Sequence, residues 1–276
     1  MTTKLDWQGR VGHSWAAEWR RTDRSFGGLT EHLLGKARAR SVYQALDVGC
    51  GAGELSMAIA REHAMAEVVG LDVSPELIEV AKERAGYLSN LDFAEGDAAN
   101  WVRDGFSPDL LMSRHGLMFF EQPVAAFAHL RSICAPAARL VFSCFRSFEE
   151  NPWAERVAGC LPGGTFVPPD RFSPGPFAFA DRAHVEGILH DAGWTEIMFE
   201  RIDYAFIAGA GEDAVGDALE YFQTIGPAAR AAAGLGPEDK SRFLGSLGRY
   251  LRQNDDGGII ALRAGAWVVT AKAPMQ

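Results

Sequence analysis

Long apolar runs, clustered basic residues and paired cysteines are all missing from this 276-residue chain. No stretch approaches the ~20 apolar residues that a membrane-spanning helix needs. The opening MTTKLDWQGR carries charges with no apolar segment behind them, unlike a secretion signal. Lys and Arg number 27 against 36 Asp and Glu, a formal net charge of −9, and no Lys/Arg-rich run interrupts that balance. Nucleic acid is therefore a poor expected partner, since phosphate binding needs a basic footprint; a small molecule is the better expectation. The four cysteines, Cys50, Cys134, Cys144 and Cys160, show neither C-x-x-C nor zinc-ligand spacing and read as reduced thiols of a cytoplasmic protein. His13, His32, His63, His129, His184 and His190 form no metal-binding triad by spacing. H-E-x-x-H is absent, and so is the G-x-S-x-G of a hydrolase nucleophile elbow. No metal is expected. Nothing repeats and no segment is of low complexity; the chain is compatible with a monomer or a homodimer.

What is present is an alternation of short apolar runs with helical periods. YQALDV reads as a strand, ELSMAIAREHA as a helix, AEVVGLDVS as a strand and PELIEVAKERAGYL as a helix with Pro75 in its first turn. LDFAEGD, PDLLMSRHG and ARLVFSCF read as further strands, with PVAAFAHLRSICA as a helix before the last of them. Strands that alternate with helices pair in parallel and are covered on both faces, which explains their nearly unbroken apolar runs. The fold class is α/β, doubly wound. Ahead of this core, residues 5–24 place Trp15 and Trp19 four apart, on one face of a predicted helix; residues 29–39 read as a second helix. The alternation breaks at Glu149. Residues 149–180 are rich in proline, glycine and aromatics and read as a long ordered loop or insertion. Beyond it come a helix closed by Gly193, a strand over TEIMFERIDYAFIAG, two helices within 212–252 and a closing strand near Ala266–Ala271.

The strongest motif is LDVGCGAGEL: a strand delivers Asp47, glycines follow at 49, 51 and 53, and a helix starts. Glycine permits the tight turn and lets a ligand approach without a Cβ in the way. A pyrophosphate-binding loop has G-x-G-x-x-G spacing; here it is G-x-G-x-G, flanked by Asp47 and Glu54. That acidic pair opposes a pyrophosphate and suits a ligand carrying a sulfonium and an ammonium.

The loop resembles the first motif of class I S-adenosylmethionine-dependent methyltransferases. VVGLDVSPELIEVAKER resembles their second motif and FAEGDAANW their third, while PDLLMSRHGLMFF and LVFSCFR resemble the fourth and fifth elements, so the likeness is detailed over roughly residues 40–147. The resemblance implies a Rossmann-like, seven-stranded, mostly parallel sheet whose last strand is antiparallel. It implies a domain over 41–276, an N-terminal helical lid over 1–40, and substrate-side insertions at 149–180 and 212–252. It implies S-adenosyl-L-methionine as cofactor, held by Asp47, Gly49, Cys50, Gly51 and Gly53, with Asp72 and Val73 at the ribose and Gly96, Asp97 and Ala98 at the adenine. Ser113 would contribute backbone, Trp19 a ring near the sulfonium, and Arg20 or Arg24 a cation for the methionine carboxylate.

The end of the fourth strand, Ser113-Arg114-His115-Gly116, lies where α/β sheets place ligand chemistry. His115 stands where related enzymes often carry an apolar or aromatic residue, and an imidazole there suits a general base. An acceptor pocket is expected from Trp15, Met118, Phe119, Trp153 and Phe177, around a small hydrophobic or aromatic molecule. The first reading is O-methylation of a hydroxyl or carboxylate. C- or N-methylation, a non-catalytic cofactor-binding regulator and an NAD-dependent oxidoreductase are the alternatives.

Overall fold

Apolar, β-branched runs set the strands, and their burial follows from coverage on both faces. A computed structural model describes residues 3–163, 166–167 and 170–275; Gly164, Thr165, Pro168 and Pro169, in the segment read as an insertion, lie outside them. The strands are β1 (Gln44–Val48), β2 (Glu67–Asp72), β3 (Leu91–Glu95), β4 (Leu110–Arg114), β5 (Arg139–Phe145), β6 (Thr195–Ala210) and β7 (Ile259–Lys272). They form one sheet in the order β3-β2-β1-β4-β5-β7-β6. β1 to β5 pair in parallel. β7 runs antiparallel to both β5 and β6, as the sequence suggested for the last strand. It is longer than the Ala266–Ala271 stretch read from sequence, because residues 259–265 alternate exposed and buried positions instead of forming an apolar run.

The helices are α1 (Lys4–Trp7), α2 (Arg10–Ala17), α3 (Trp19–Ala37), α4 (Glu54–Glu62), α5 (Pro75–Ala85), α6 (Pro123–Ser132), α7 (Pro152–Ala158), α8 (Arg182–Asp191), α9 (Ala214–Thr224), α10 (Pro227–Ala232) and α11 (Pro237–Gln253). Three of these depart from the sequence reading. The single helix expected over 5–24 is broken first at Gln8-Gly9, between α1 and α2, and again at Glu18, which takes φ −96° and ψ 14° between α2 and α3, while the second helix read over 29–39 is the continuation of α3. Neither proline nor glycine marks the break at Glu18. Arg21 pulls Glu18 into an ion pair at 2.8 Å while also reaching Asp217 at 2.6 Å and Glu220 at 2.5 Å, so the kink is set by docking against α9. Residues 212–252 form three helices, because Gly226-Pro227 and Gly236-Pro237 each end one helix and start the next. The 149–180 segment holds α7, whose Trp153, Ala154, Val157 and Ala158 are buried.

Register brings the strand ends level. Asp47 sits beside Gly70 of β2 and Met112 of β4, so the carboxyl ends of β1, β2 and β4 converge. The N-terminal helices fold back over that edge. Gly12 is where α2 crosses the start of α5: a Cβ there would collide with the Trp7 carbonyl and the Ser74 hydroxyl.

Candidate functional site

The carboxyl ends of β1 to β4 open into a cavity of about 390 Å³. Its floor is the turn between β1 and α4. Gly49 (φ 66°) and Gly51 (φ 55°) take the left-handed conformation, which glycine adopts without a Cβ penalty. A Cβ on Gly49 would lie 2.8 Å from the Gly116 Cα, so the glycine loop and the turn after β4 touch through bare backbone. Around Gly51 nothing stands within 4 Å of that position, leaving the loop open to a ligand. Gly53 (φ 83°) precedes α4, with its Cβ direction blocked by Phe93; it shapes the turn and is not in the cavity wall.

Acidic groups ring this floor. Asp47 is buried, accepts a 2.6 Å hydrogen bond from the Ser56 hydroxyl, and leaves Oδ1 without a partner. Burial pushes its carboxyl up to about 6, against the pull of Ser56 and Arg114. Asp72, at the end of β2, accepts the Gly51 N–H at 2.9 Å on one oxygen and the Ser74 N–H at 2.9 Å on the other. Burial raises its carboxyl too, with the N–H groups of Ser74, Gly51 and Val73 opposing. Asp97 accepts the Ala99 N–H at 3.0 Å and meets the Lys4 ammonium at 2.9 Å. These outweigh its partial burial and lower its carboxyl. Lys4, which the sequence reading did not single out, thus ties α1 to the loop after β3. Cys50 lines the floor and is held as a thiol by burial beside Asp72 and Asp47.

The acidic pair read at the loop splits into two environments. Glu54 points away from the cavity into a buried ion pair with Arg114, whose NH2 group also lies 3.4 Å from Asp23. Asp23 pairs with Arg84 at 2.6 Å, and Arg84 donates to the Ala52 carbonyl at 2.6 Å. This chain clamps α3, α4, α5, β4 and the glycine loop together, and leaves Asp47 as the loop's uncompensated carboxylate. Asp47→Asn should therefore stabilise the ligand-free protein. An acid whose folded pKa lies above its unfolded 3.8 favours folding below 3.8, and that gain is lost as pH rises through 6. At pH 7.5 the ionised form costs on the order of 3 kcal/mol, so thermal melts should show the variant several degrees more stable at pH 7.5 and nearly level with the parent at pH 4. An equal shift at both would show that charge is not the cause.

His115 takes φ 63°, a left-handed conformation that is uncommon outside glycine. The turn aims its ring back over the sheet, stacked on Phe145 at 3.9 Å and edge-on to Phe26 at 5.3 Å. Nδ1 lies 3.5 Å from the Ser143 hydroxyl, and Nε2 is buried without a partner. Burial, reinforced by Arg114, holds its pKa well below the usual histidine value, so the imidazole is neutral at pH 7. The roof carries Trp7, Trp15 and Phe119, with Trp7 at 5.3 Å from Trp15 and 5.0 Å from Phe119.

Of the residues picked from sequence, the cavity brings together Asp47, Gly49, Cys50, Gly51, Asp72, Val73, Gly96, Asp97, Ala98, His115, Met118, Phe119, Trp15, Trp19 and Trp153. Four others stand outside its wall, besides Gly53. Ser113 is buried, and its hydroxyl accepts the Gly116 N–H at 3.1 Å, bracing the turn. Phe177 packs behind Phe145 and Trp153. Arg20 is exposed and lies over the Trp19 ring, whose centroid is 3.7 Å from the Arg84 guanidinium. Arg24 is spent on Asp217 at 2.7 Å and the Ala208 carbonyl at 3.0 Å. Arg24 is therefore already paired outside the cavity. The sequence reading missed Thr22, Phe206 and Tyr221, which line it from α3, β6 and α9.

Known proteins share this core. Residues 45–137 match the family described as Methyltransferase domain. A malonyl-[acyl-carrier protein] O-methyltransferase of Ilyobacter polytropus is 28% identical over 126 residues, 44% of this chain and 47% of the relative. A trans-aconitate 2-methyltransferase of Methylobacterium radiotolerans is 34% identical over 108 residues, 39% of this chain and 40% of the relative. The chain thus spans under half the length of these two curated relatives. Among solved structures, a Haemonchus contortus phosphoethanolamine N-methyltransferase in complex with S-adenosyl-L-methionine superposes with a TM-score of 0.57 at 14% identity, covering 99% of this chain and 60% of that one. That likeness is one of fold. The residues at the floor fit the same cofactor: a bare-backbone cradle at Gly49 and Gly51, an orphaned carboxylate oxygen on Asp47, and a second buried carboxylate on Asp72. Residues 45–137 thus carry a methyltransferase-domain sequence pattern, laid on the strand order and the cradle of the class I S-adenosylmethionine-dependent methyltransferase fold.

Proposed function

We propose that the chain transfers a methyl group from S-adenosylmethionine to oxygen on a small hydrophobic or aromatic acceptor. The observation that carries this reading is His115: a neutral imidazole with an unpartnered, buried Nε2, in an aromatic wall that adjoins the glycine cradle. The cofactor supplies an electrophilic methyl on a sulfonium, whose bonding pair stays with sulfur as the thioether product forms. Asp72 would hold the ribose: each of its oxygens has accepted one N–H and keeps a lone pair for a hydroxyl. Asp97 and Ala98 would border the adenine, and Asp47 would face the cationic end. Trp15, Met118, Phe119 and Trp153 would enclose the acceptor. His115 Nε2 would accept the acceptor's hydroxyl proton as the oxygen becomes the nucleophile. The rest of the protein's task is alignment and exclusion of water. Residues 1–40 would serve as the lid, a role supported by Trp7, Trp15 and Trp19 in the cavity wall. Residues 149–180 and 212–252 would shape the acceptor side through Trp153, Pro176 and Tyr221.

Calorimetry against S-adenosylmethionine and NADH, followed by turnover with a panel of hydroxyl acceptors, tests this reading. Micromolar S-adenosylmethionine binding, no NADH binding and release of S-adenosylhomocysteine with a methyl ether are expected. Binding of NADH alone would sink it, and cofactor binding without turnover on any acceptor would favour a regulator.

A further inference from the structure

Beyond Asp47 at the floor and His115, two other buried polar atoms in the cavity wall lack partners: Thr22 Oγ1 and the Tyr221 hydroxyl. The three away from the floor are nine-tenths or more buried, Thr22 at 6%, His115 at 6% and Tyr221 at 0% exposure. A buried polar group left unpaired costs on the order of 1–3 kcal/mol, so two hydroxyls and an imidazole nitrogen in one pocket call for an explanation. Their neighbours do not relieve them. The Tyr221 hydroxyl lies beside Thr22 and Ser25 without hydrogen-bonding geometry, and Ser25 Oγ is already engaged with the carbonyls of Arg21 (2.8 Å) and Ile207 (3.0 Å). The surrounding wall is flat and aromatic. Trp153 and Phe206 stack at 4.8 Å with 9° between their planes, Phe26 meets Phe206 at 5.6 Å, and Phe145 meets Trp153 at 5.0 Å.

The charge of the cavity points the same way. The carboxylates of Asp23, Asp47, Asp72, Asp97 and Glu121 line it against the cations of Lys4 and Arg114. Both cations are spoken for, Lys4 by Asp97 and Arg114 by Glu54 and Asp23. A carboxylate acceptor would meet this field without a counter-ion, and it has no proton to offer an imidazole lone pair. An uncharged hydroxyl matches the unpaired atoms one for one, since it has one proton to donate and two lone pairs to fill. With Nδ1–H turned to Ser143, Nε2 takes that proton as acceptor, while the Thr22 and Tyr221 hydroxyls donate.

Resting on the methyl-transfer reading, we propose that the acceptor is a phenol, its hydroxyl held jointly by Thr22, Tyr221 and His115 and its ring by the Trp153–Phe206 wall. Carboxylic acids are excluded from this pocket. Thr22 and Tyr221 are then the residues that select hydroxyl over carboxylate.

Fluorine NMR titrations of the full chain, with S-adenosylhomocysteine present, test this with three probes on one ring: 4-fluorophenol, 4-fluorotoluene and 4-fluorobenzoate. The phenol should bind at least tenfold more tightly than either of the others. Tyr221→Phe and Thr22→Val should each shrink the phenol-to-toluene ratio about fivefold and leave 4-fluorotoluene binding unchanged, which also reports an intact pocket. Benzoate binding within twofold of the phenol, or a ratio unmoved in whichever variant retains toluene binding, would overturn the proposal. S-adenosylhomocysteine is titrated first, by calorimetry. Its failure to bind would remove the methyl-transfer reading, while the probe series on the protein alone still reads the pocket.

Discussion

Asp72→Ala is expected to weaken S-adenosylhomocysteine binding about a hundredfold in calorimetry at pH 7.5. Hydrogen bonds to a charged group contribute roughly 1.5–3 kcal/mol each, and a carboxylate at the end of β2 has room for both ribose hydroxyls. Part of the loss would arise indirectly, because Asp72 also holds the Gly51 and Ser74 N–H groups and so the shape of the glycine loop. The two contributions separate with 2′-deoxy-S-adenosylhomocysteine. If Asp72 binds the ribose, the deoxy ligand should lose affinity for the parent protein and be less sensitive to the substitution. Equal sensitivity of both ligands would assign the residue to loop architecture alone.

The second large effect is expected at His115. His115→Asn keeps a side chain that tolerates the left-handed backbone and removes the base. It should lower kcat by about 100-fold with little change in cofactor affinity. The acidic limb of the parent's pH–rate profile should lie below the ordinary histidine range, because burial first, and Arg114 second, favour the neutral ring. The same displacement carries a stability signature. A histidine whose folded pKa lies below its unfolded 6.5 contributes stability that is complete above 6.5 and fades as pH falls toward the folded value. Denaturant melts between pH 7.5 and 5 should therefore show the parent losing more stability than the variant. An undiminished kcat in His115→Asn would remove the base.

The sequence was most informative where function is local in the chain. Asp47, Gly49, Gly51 and Asp72 fall on a strand–turn–helix unit whose glycine spacing and strand ends can be read in one dimension. Of the parallel strands, β1, β2, β4 and β5 were legible for the same reason, as buried strands leave apolar runs, whereas β3 at the sheet edge buries only Phe93. The acceptor side was only partly so. Thr22 sits in α3 and Tyr221 in α9, far apart in the chain, and no periodicity distinguishes them from ordinary core positions. The break at Glu18 was invisible because its cause, Arg21 reaching across to Asp217 and Glu220, is tertiary. Arg24 could not be placed from sequence, because its partner Asp217 lies on α9, far away in the chain.

The position of β7 has a bearing on how the molecule is made. β7 fills the slot between β5 and β6, and among the described residues β6 has no other strand beside it. During synthesis β6 leaves the ribosome before α9, α10, α11 and β7, so a 16-residue strand with alternating apolar positions waits for its partner. Unpaired strands of this kind are templates for association between nascent chains. The α3 helix, which packs on β6, is already available to cover one of its faces during that interval. The helix that lines the cavity wall in the finished protein is thus also placed to shelter the sheet while it is incomplete.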